Sequence, residues 1–270
     1  MNREQLPLLV TFFCTSLLIA ACGSQRPSDG PPQGGTNIPR GLPGNAIPKV
    51  EPRSRYGNGP IYQVRGETYQ VMDSSRGYQE RGVASWYGKK FHGRMTSNQE
   101  PYDMYGMTAA HKSLPLPTYV RVRNLQNNRS IVVRVNDRGP FIDNRLIDLS
   151  YTAALKLDLV GAGTGLVEVT AISVDEPLPN RASPTTAAAA KSDVDLFVQV
   201  GAFGDQENAR RRLRMLRSNG FKQSFVFTDR QSQATLYRVR IGPIADVAEF
   251  DKIIDRLRDV GIAESHLVSD

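Results

Sequence analysis

Cysteine is nearly absent: the 270-residue chain has two, Cys14 and Cys22, and none after position 22. That excludes a disulfide framework and a cysteine-based zinc site from everything downstream. Long apolar runs are also missing. The one candidate, positions 6–21, covers 16 residues and is too short to span a bilayer core of about 30 Å comfortably. A charged block is missing as well, although 34 basic and 27 acidic residues leave a net charge of +7. Residues 22–78 hold 7 basic against 4 acidic, 79–175 hold 12 against 9, and 194–270 hold 12 against 11. Charge spread so evenly gives little reason to expect nucleic acid as partner. With 40% hydrophobic and 23% charged residues, wholesale disorder and a polytopic membrane protein are excluded too. No metal or cofactor motif is present, and none is expected.

What is there begins with the first 22 residues. Arg3 supplies a positive start, partly offset by Glu4, and the 6–21 stretch has the length of a signal-peptide core. It ends Leu18-Ile-Ala-Ala-Cys22-Gly23, which resembles the lipobox of bacterial lipoproteins. The resemblance implies that residues 1–21 are removed and that Cys22 carries lipid. Three acyl chains exceed the two signals needed for stable anchoring. Gly23 after the lipid site, by the sorting rule of Gram-negative lipoproteins, points to the outer membrane with the chain facing the periplasm.

Two linkers follow. Residues 23–60 contain 8 Gly, 8 Pro and one aromatic, Tyr56, so 22–60 reads as a disordered tether. Residues 176–193, running from Glu176-Pro-Leu-Pro to four alanines, form the second. They leave a domain over 61–175 and another over 194–270.

The C-terminal domain is the easier to read. Phe197-Val-Gln-Val-Gly-Ala-Phe203 alternates as a strand, and 205–219 reads as a helix with Ala209, Leu213 and Leu216 on one stripe and Gly220 after it. Strands over 224–228 and 236–241, a helix over 246–260 and a closing strand over 266–268 complete the order β-α-β-β-α-β. That order is a ferredoxin-like α+β unit with one open sheet face. If Val198, Val200, Val239 and Ile241 pack under the helices, then Phe197, Gln199, Arg238 and Arg240 face outward. From pattern alone those arginines are either a solvated face or a binding face. Val198-Gln-Val-Gly-Ala-Phe, Asn208-Ala209 and Tyr237-Arg-Val-Arg-Ile-Gly-Pro resemble a SPOR domain, with Ile244 where an aromatic is common. The resemblance implies binding, through Gln199, Arg238, Arg240 and Phe197, of septal peptidoglycan strands stripped of their stem peptides.

The middle domain has no long helical pattern. Short β-rich runs at 83–87, 119–122, 130–135 and 166–174, and one helix over 151–157 capped by Ser150 or Asp148, suggest a small closed β-barrel. Its polar residues cluster in Gly82-Val-Ala-Ser-Trp-Tyr-Gly88, the run from Thr96 to His111, Asn136-Asp-Arg-Gly-Pro-Phe141 and Arg145-Leu-Ile-Asp-Leu-Ser150. These four runs resemble the double-psi β-barrel of the rare lipoprotein A family. With lipobox, linker and SPOR-like segment in that order, the likeness spans nearly the whole mature chain. One departure is Ser97-Asn-Gln-Glu100, where the family usually has Ala-Ser-Gly-Glu.

The resemblance implies a multidomain chain, a mainly-β barrel plus a SPOR domain, acting as a lytic transglycosylase at the division septum. The muramyl 6-hydroxyl would displace the leaving sugar, giving 1,6-anhydro ends without water. Carried over residue by residue, the site comprises Glu100, His111, Asp137 and Asp148, with the two aspartates central. Taken singly, each has a plainer reading: Asp137 shapes a turn, Asp148 caps a helix, His111 is a structural histidine, Glu100 a loop residue. Trp86 and Tyr87 either stack on sugar rings or fill the core. The competing function is a non-catalytic or expansin-like glycan-binding lipoprotein. Oligomeric state is left open.

Overall fold

The computed structural model of the chain describes residues 30–32, 41–174, 195–230 and 234–269. The expected signal segment, Cys22 and the 176–193 linker lie outside these residues.

The first elements are a hairpin, β1 (Ile61–Val64) with β2 (Glu67–Gln70). Its two-residue turn, Arg65-Gly66, has positive φ at both positions (54° and 86°), the geometry whose twist matches paired strands. Six strands then close a barrel: β3 (Gln79–Tyr87), β4 (Thr108–His111), β5 (Thr118–Asn124), β6 (Ser130–Asp137), β7 (Arg145–Ser150) and β8 (Gly165–Ala171). Around the barrel the order is β3-β7-β4-β6-β5-β8. The pairs β3–β7 and β4–β6 are parallel and the others antiparallel. Val120, Val122, Val133, Val135, Leu149 and Val169 fill the interior with no exposed surface. Alternation therefore turns Arg121, Arg123 and Arg134 outward. Helix α1 (Tyr151–Lys156) follows β7 directly, and Ser150 Oγ accepts from Ala153 N at 3.2 Å. Ser150, not Asp148, is the cap.

Of the expected 22–60 tether, 22–29 and 33–40 lie outside the described residues, and the part nearest the barrel is not a free linker. Residues 45–58 lie along the barrel in specific hydrogen bonds: Ala46 N to Val132 O (3.0 Å), Ser54 N to Leu116 O (2.8 Å) and a two-way pair between Asn58 and Leu116. Few apolar groups are needed here, because the barrel satisfies this segment's backbone directly.

The C-terminal domain has β9 (Leu196–Phe203), α2 (Gln206–Ser218), β10 (Ser224–Asp229), β11 (Leu236–Ile241), α3 (Val247–Asp259) and β12 (His266–Ser269). Its sheet, β10-β11-β9-β12, is antiparallel throughout. Asp205 and Asp246 cap the two helices through Asn208 N and Glu249 N. Val198, Val200, Val239 and Ile241 pack with Ala209, Leu216, Phe250, Ile253 and Leu257. Helix α3 also meets the barrel, where Arg145 holds Asp251 through two 3.0 Å bonds.

Ser150 both caps α1 and donates to Gly106 O at 2.6 Å. Replacing it by alanine is expected to cost about 1–2 kcal/mol in denaturant unfolding, without change in the barrel's circular dichroism.

Candidate active site

Strand pairing builds the site. Ser85 on β3 is opposite Asp148 on β7, Asp148 is opposite Ala110 on β4, and Ala110 is beside Asp137 on β6. Ser85, Asp148, Ala110 and Asp137 therefore form one row across four strands. At about 4.8 Å per strand step, the two aspartate backbones stand about 10 Å apart with only an alanine between. Neither aspartate is buried or fully exposed. All four of the row's residues fall in motif runs already singled out. Ala110 and Ser85 carried no independent signal in the sequence beyond membership of those runs.

The two carboxylates are held differently. Asp137 Oδ1 accepts from Ser97 N (2.7 Å), Ser97 Oγ (2.6 Å) and Arg138 N (2.7 Å). Asp148 Oδ1 accepts from the Ser85 hydroxyl. The arginine side chains beside them are engaged elsewhere. The Arg138 guanidinium donates to the carbonyls of Gly57, His111 and Leu114, and that of Arg145 to Asp251. Burial pushes Arg138 down to about 10.

Glu100 approaches from the 96–100 loop. Its Oε2 accepts from Arg134 Nη1 at 2.6 Å and Asn136 Nδ2 at 2.9 Å. Burial alone would raise its pKa, but those two donors outweigh it and hold the carboxyl below the usual range. The loop closes through Thr96 N to Glu100 O (2.8 Å) and Gln99 N to Thr96 O (2.9 Å). Gln99 stands where the family pattern has glycine, and it takes the left-handed conformation (φ 67°) that glycine adopts without strain. The departure from the family pattern thus leaves a loop of the geometry that a glycine would favour.

His111 is placed behind the row. It is 2% exposed, its Nδ1 accepts from Ser113 N and Leu114 N, and its Nε2 is 2.8 Å from Tyr78 Oη. Two amides on Nδ1 leave the proton on Nε2, which donates to Tyr78; Tyr78 in turn donates to Glu80. Burial first, then Arg138 and Lys112, lower the His111 pKa to about 3. The imidazole is neutral and turned from solvent, so it does not reach a sugar directly.

The aromatics divide similarly. Tyr87 is buried, its ring stacked on Tyr102 at 4.1 Å, which leaves no face open to a sugar. Burial, with Tyr102, Asp137 and Asp148, holds its hydroxyl far above its ordinary pKa. Trp86 is half-buried, edge-on to Tyr151 at 5.7 Å.

On the C-terminal sheet, Arg240 lies over Phe227 (4.3 Å to the ring centre) and near Phe197 (5.8 Å). Both Arg240 and Phe197 are buried rather than solvent-facing, because the ring and the guanidinium cover one another. Arg238 is paired with Asp229 at 2.7 Å. Gln199 is opposite Arg240 in the sheet, and its side-chain oxygen is buried without a hydrogen-bond partner. Among the described residues, no group of three or more His, Cys, Asp or Glu is disposed to hold a metal ion.

Comparison with known proteins agrees with this architecture. A double-psi barrel model described as lytic transglycolase matches residues 79–169, and a SPOR domain model matches residues 192–268. The endolytic peptidoglycan transglycosylase RlpA of Vibrio cholerae is 42% identical over 217 residues, 80% of this chain and 79% of that protein. RlpA of Pseudomonas aeruginosa strain UCBPP-PA14 is 33% identical, covering 97% of this chain and 96% of its own. The chain belongs to the RlpA family. As an RlpA-family protein it is a peptidoglycan lytic transglycosylase, with a double-psi β-barrel and a SPOR domain. The crystal structure of the RlpA SPOR domain from P. aeruginosa aligns with 27% of this chain and 96% of its own, at 30% identity and a TM-score of 0.26.

Replacing Ser85 by alanine is expected to lower kcat on glycan strands about tenfold or more while leaving KM within about twofold, since Asp148 loses its orienting hydroxyl. Stability also depends on pH through His111. The unfolded imidazole takes up a proton below about 6.5, whereas buried His111 waits until about 3. The unfolded state therefore binds more protons across that window, and stability falls as pH drops through it. Urea titrations between pH 7 and 5 are expected to show that fall in the wild type and a flatter profile for His111→Gln.

Proposed function

We propose that this RlpA-family chain cleaves peptidoglycan glycan strands that lack stem peptides, leaves 1,6-anhydro-muramyl ends, and works at the division septum. In this reading lipid on Cys22 anchors it to the outer membrane, facing the periplasm, and the SPOR sheet face holds denuded strands. Half-buried Gln199 and Arg238 present that face, with buried Arg240 and Phe197 packed behind them, so the barrel meets substrate at raised local concentration.

The observation that carries the chemistry is the row Ser85–Asp148–Ala110–Asp137. Asp148 as carboxylic acid gives its proton to the glycosidic oxygen, and the bond from the muramyl C1 to that oxygen breaks. The carboxylate then takes the proton of the muramyl 6-hydroxyl while that oxygen bonds to C1. One carboxyl serves both steps, because the first leaves it ionised, and no water is consumed. The Ser85 hydroxyl can donate to the carboxylate or accept from the acid, so it stays in contact with either form. Asp137 has three donors on one oxygen and acts as a fixed negative group facing the charge that develops at C1. Glu100, whose side chain is 41% exposed, faces the strand, and His111 supports the row from behind. Trp86, half-exposed, offers a ring to the sugar.

The test incubates the chain from Gly23 onward with peptide-stripped strands, with mass spectrometry of the products. Anhydro-muramyl ends are expected, falling at least 10³-fold in Asp148→Asn and less in Asp137→Asn. Reducing ends instead would overturn the intramolecular displacement.

A further inference from the structure

We propose that Glu51, on the segment ahead of the barrel, is a positioning residue of the active site: by clamping Arg134 it fixes where Glu100 points. This rests on the reading of Glu100 as a substrate-facing carboxylate. Glu51 lies outside the barrel family's matched span, which begins at residue 79.

Arg134 uses all three guanidinium nitrogens on two carboxylates. Nε donates to Glu51 Oε1 at 2.9 Å and Nη2 to Glu51 Oε2 at 2.8 Å, while Nη1 donates to Glu100 Oε2 at 2.6 Å. The first two bonds form a bidentate clamp, and a planar guanidinium held along one edge has no freedom left for its remaining nitrogen. The direction of Nη1, and with it the Glu100 carboxylate, is set by Glu51. Tyr119 Oη donates to Glu51 Oε1 and holds the clamp from the other side. The side chains of Glu51 and Arg134 are each 18% exposed, against 41% for Glu100, so the clamp is sheltered and Glu100 is the member open to solvent.

The same segment reaches the neighbouring carboxylate. Gly57 O accepts from Arg138 Nε at 2.8 Å and Asn58 Oδ1 from Arg138 Nη2 at 3.2 Å. Gly57 has φ 74°, and a Cβ there would stand 2.9 Å from Ser97 O. Ser97 is the residue that donates twice to Asp137. One end of the segment thus bears on Glu100 and the other on the loop that holds Asp137.

The experiment compares Glu51→Gln, Glu100→Gln and the double variant with wild type. The chain from Gly23 onward is used, and cleavage is scored as shortening of peptide-stripped strands, whatever ends are formed. Glu51→Gln is expected to lower kcat/KM about 10- to 100-fold. In the Glu100→Gln background it should add less than about twofold, because both act through one carboxylate. Glu51→Asp should recover part of the loss, and thermal melting of the three single variants should stay within a few degrees of wild type. An unchanged rate in Glu51→Gln overturns the proposal. So does a loss that multiplies with that of Glu100→Gln, or one that tracks the melting temperature alone. Normal activity in Glu100→Gln would instead overturn the reading of Glu100 itself, independently of Glu51.

Discussion

Ala110 pairs with Asp148 on one side and with Asp137 on the other, and the chemistry proposed for the barrel depends on that double pairing. Strand β4 is four residues long, so its register is carried by few contacts and must be fixed by its neighbours. Behind it, Ala109 pairs with Val135 and Leu149, all without exposed surface, and a slip of one residue would turn this apolar set outward. The parallel β4–β6 pair also carries an irregularity between Ala109 and Ala110, where the partner skips from Val135 to Asp137. That extra residue is Asn136. A regular ladder would set Asn136 beside Ala110; the bulge instead brings Asp137 there and lets Asn136 reach Glu100. A small local irregularity thereby assembles two of the three carboxylates.

Arginines on and beside β6 stabilise the surroundings of the row through contacts of their own. Arg138, 9% exposed, has backbone carbonyls and an amide oxygen as partners, which joins residues 57 and 58 to the turn at 111–114. Arg134 is shared by Glu51 and Glu100, and its pKa is raised because those carboxylates outweigh the effect of burial. A buried cation without such partners would be strongly destabilising. The segment at 45–58 is therefore integral to the domain, although its composition is that of a linker.

This explains what the sequence could reveal and what it could not. The C-terminal domain was legible element by element, because its strands alternate and its helices carry apolar stripes with Asp caps. In the barrel, β5 and β6 were readable as alternating runs, whereas β4 and β7 were visible only as polar motifs. A strand of four residues with Thr, Ala, Ala and His has no periodicity to read. The carboxylates came from resemblance; their separation and different partners came from pairing across distant strands. Glu51 had no local signal at all, since its partners are 68 and 83 residues away. Composition misread its segment, because Gly and Pro content reports on self-burial and not on binding to a barrel formed elsewhere.

The unequal partners of Asp137 and Asp148 match the different tasks proposed for the two carboxyls. Two of the donors to Asp137 Oδ1 are backbone N–H groups, which can only donate. Those two groups can point only hydrogens at that oxygen, so it serves purely as an acceptor. A serine hydroxyl has no such restriction. By rotating about its Cβ–Oγ bond, Ser85 can donate to Asp148 as carboxylate and accept from it as acid, keeping the side chain aimed while the proton comes and goes. A group that must first release and then recover a proton needs that kind of partner; a group that only faces developing positive charge needs the other. In the proposed reaction, the separation of roles is thus built from the difference between an amide and a hydroxyl at two points along one row of paired strands.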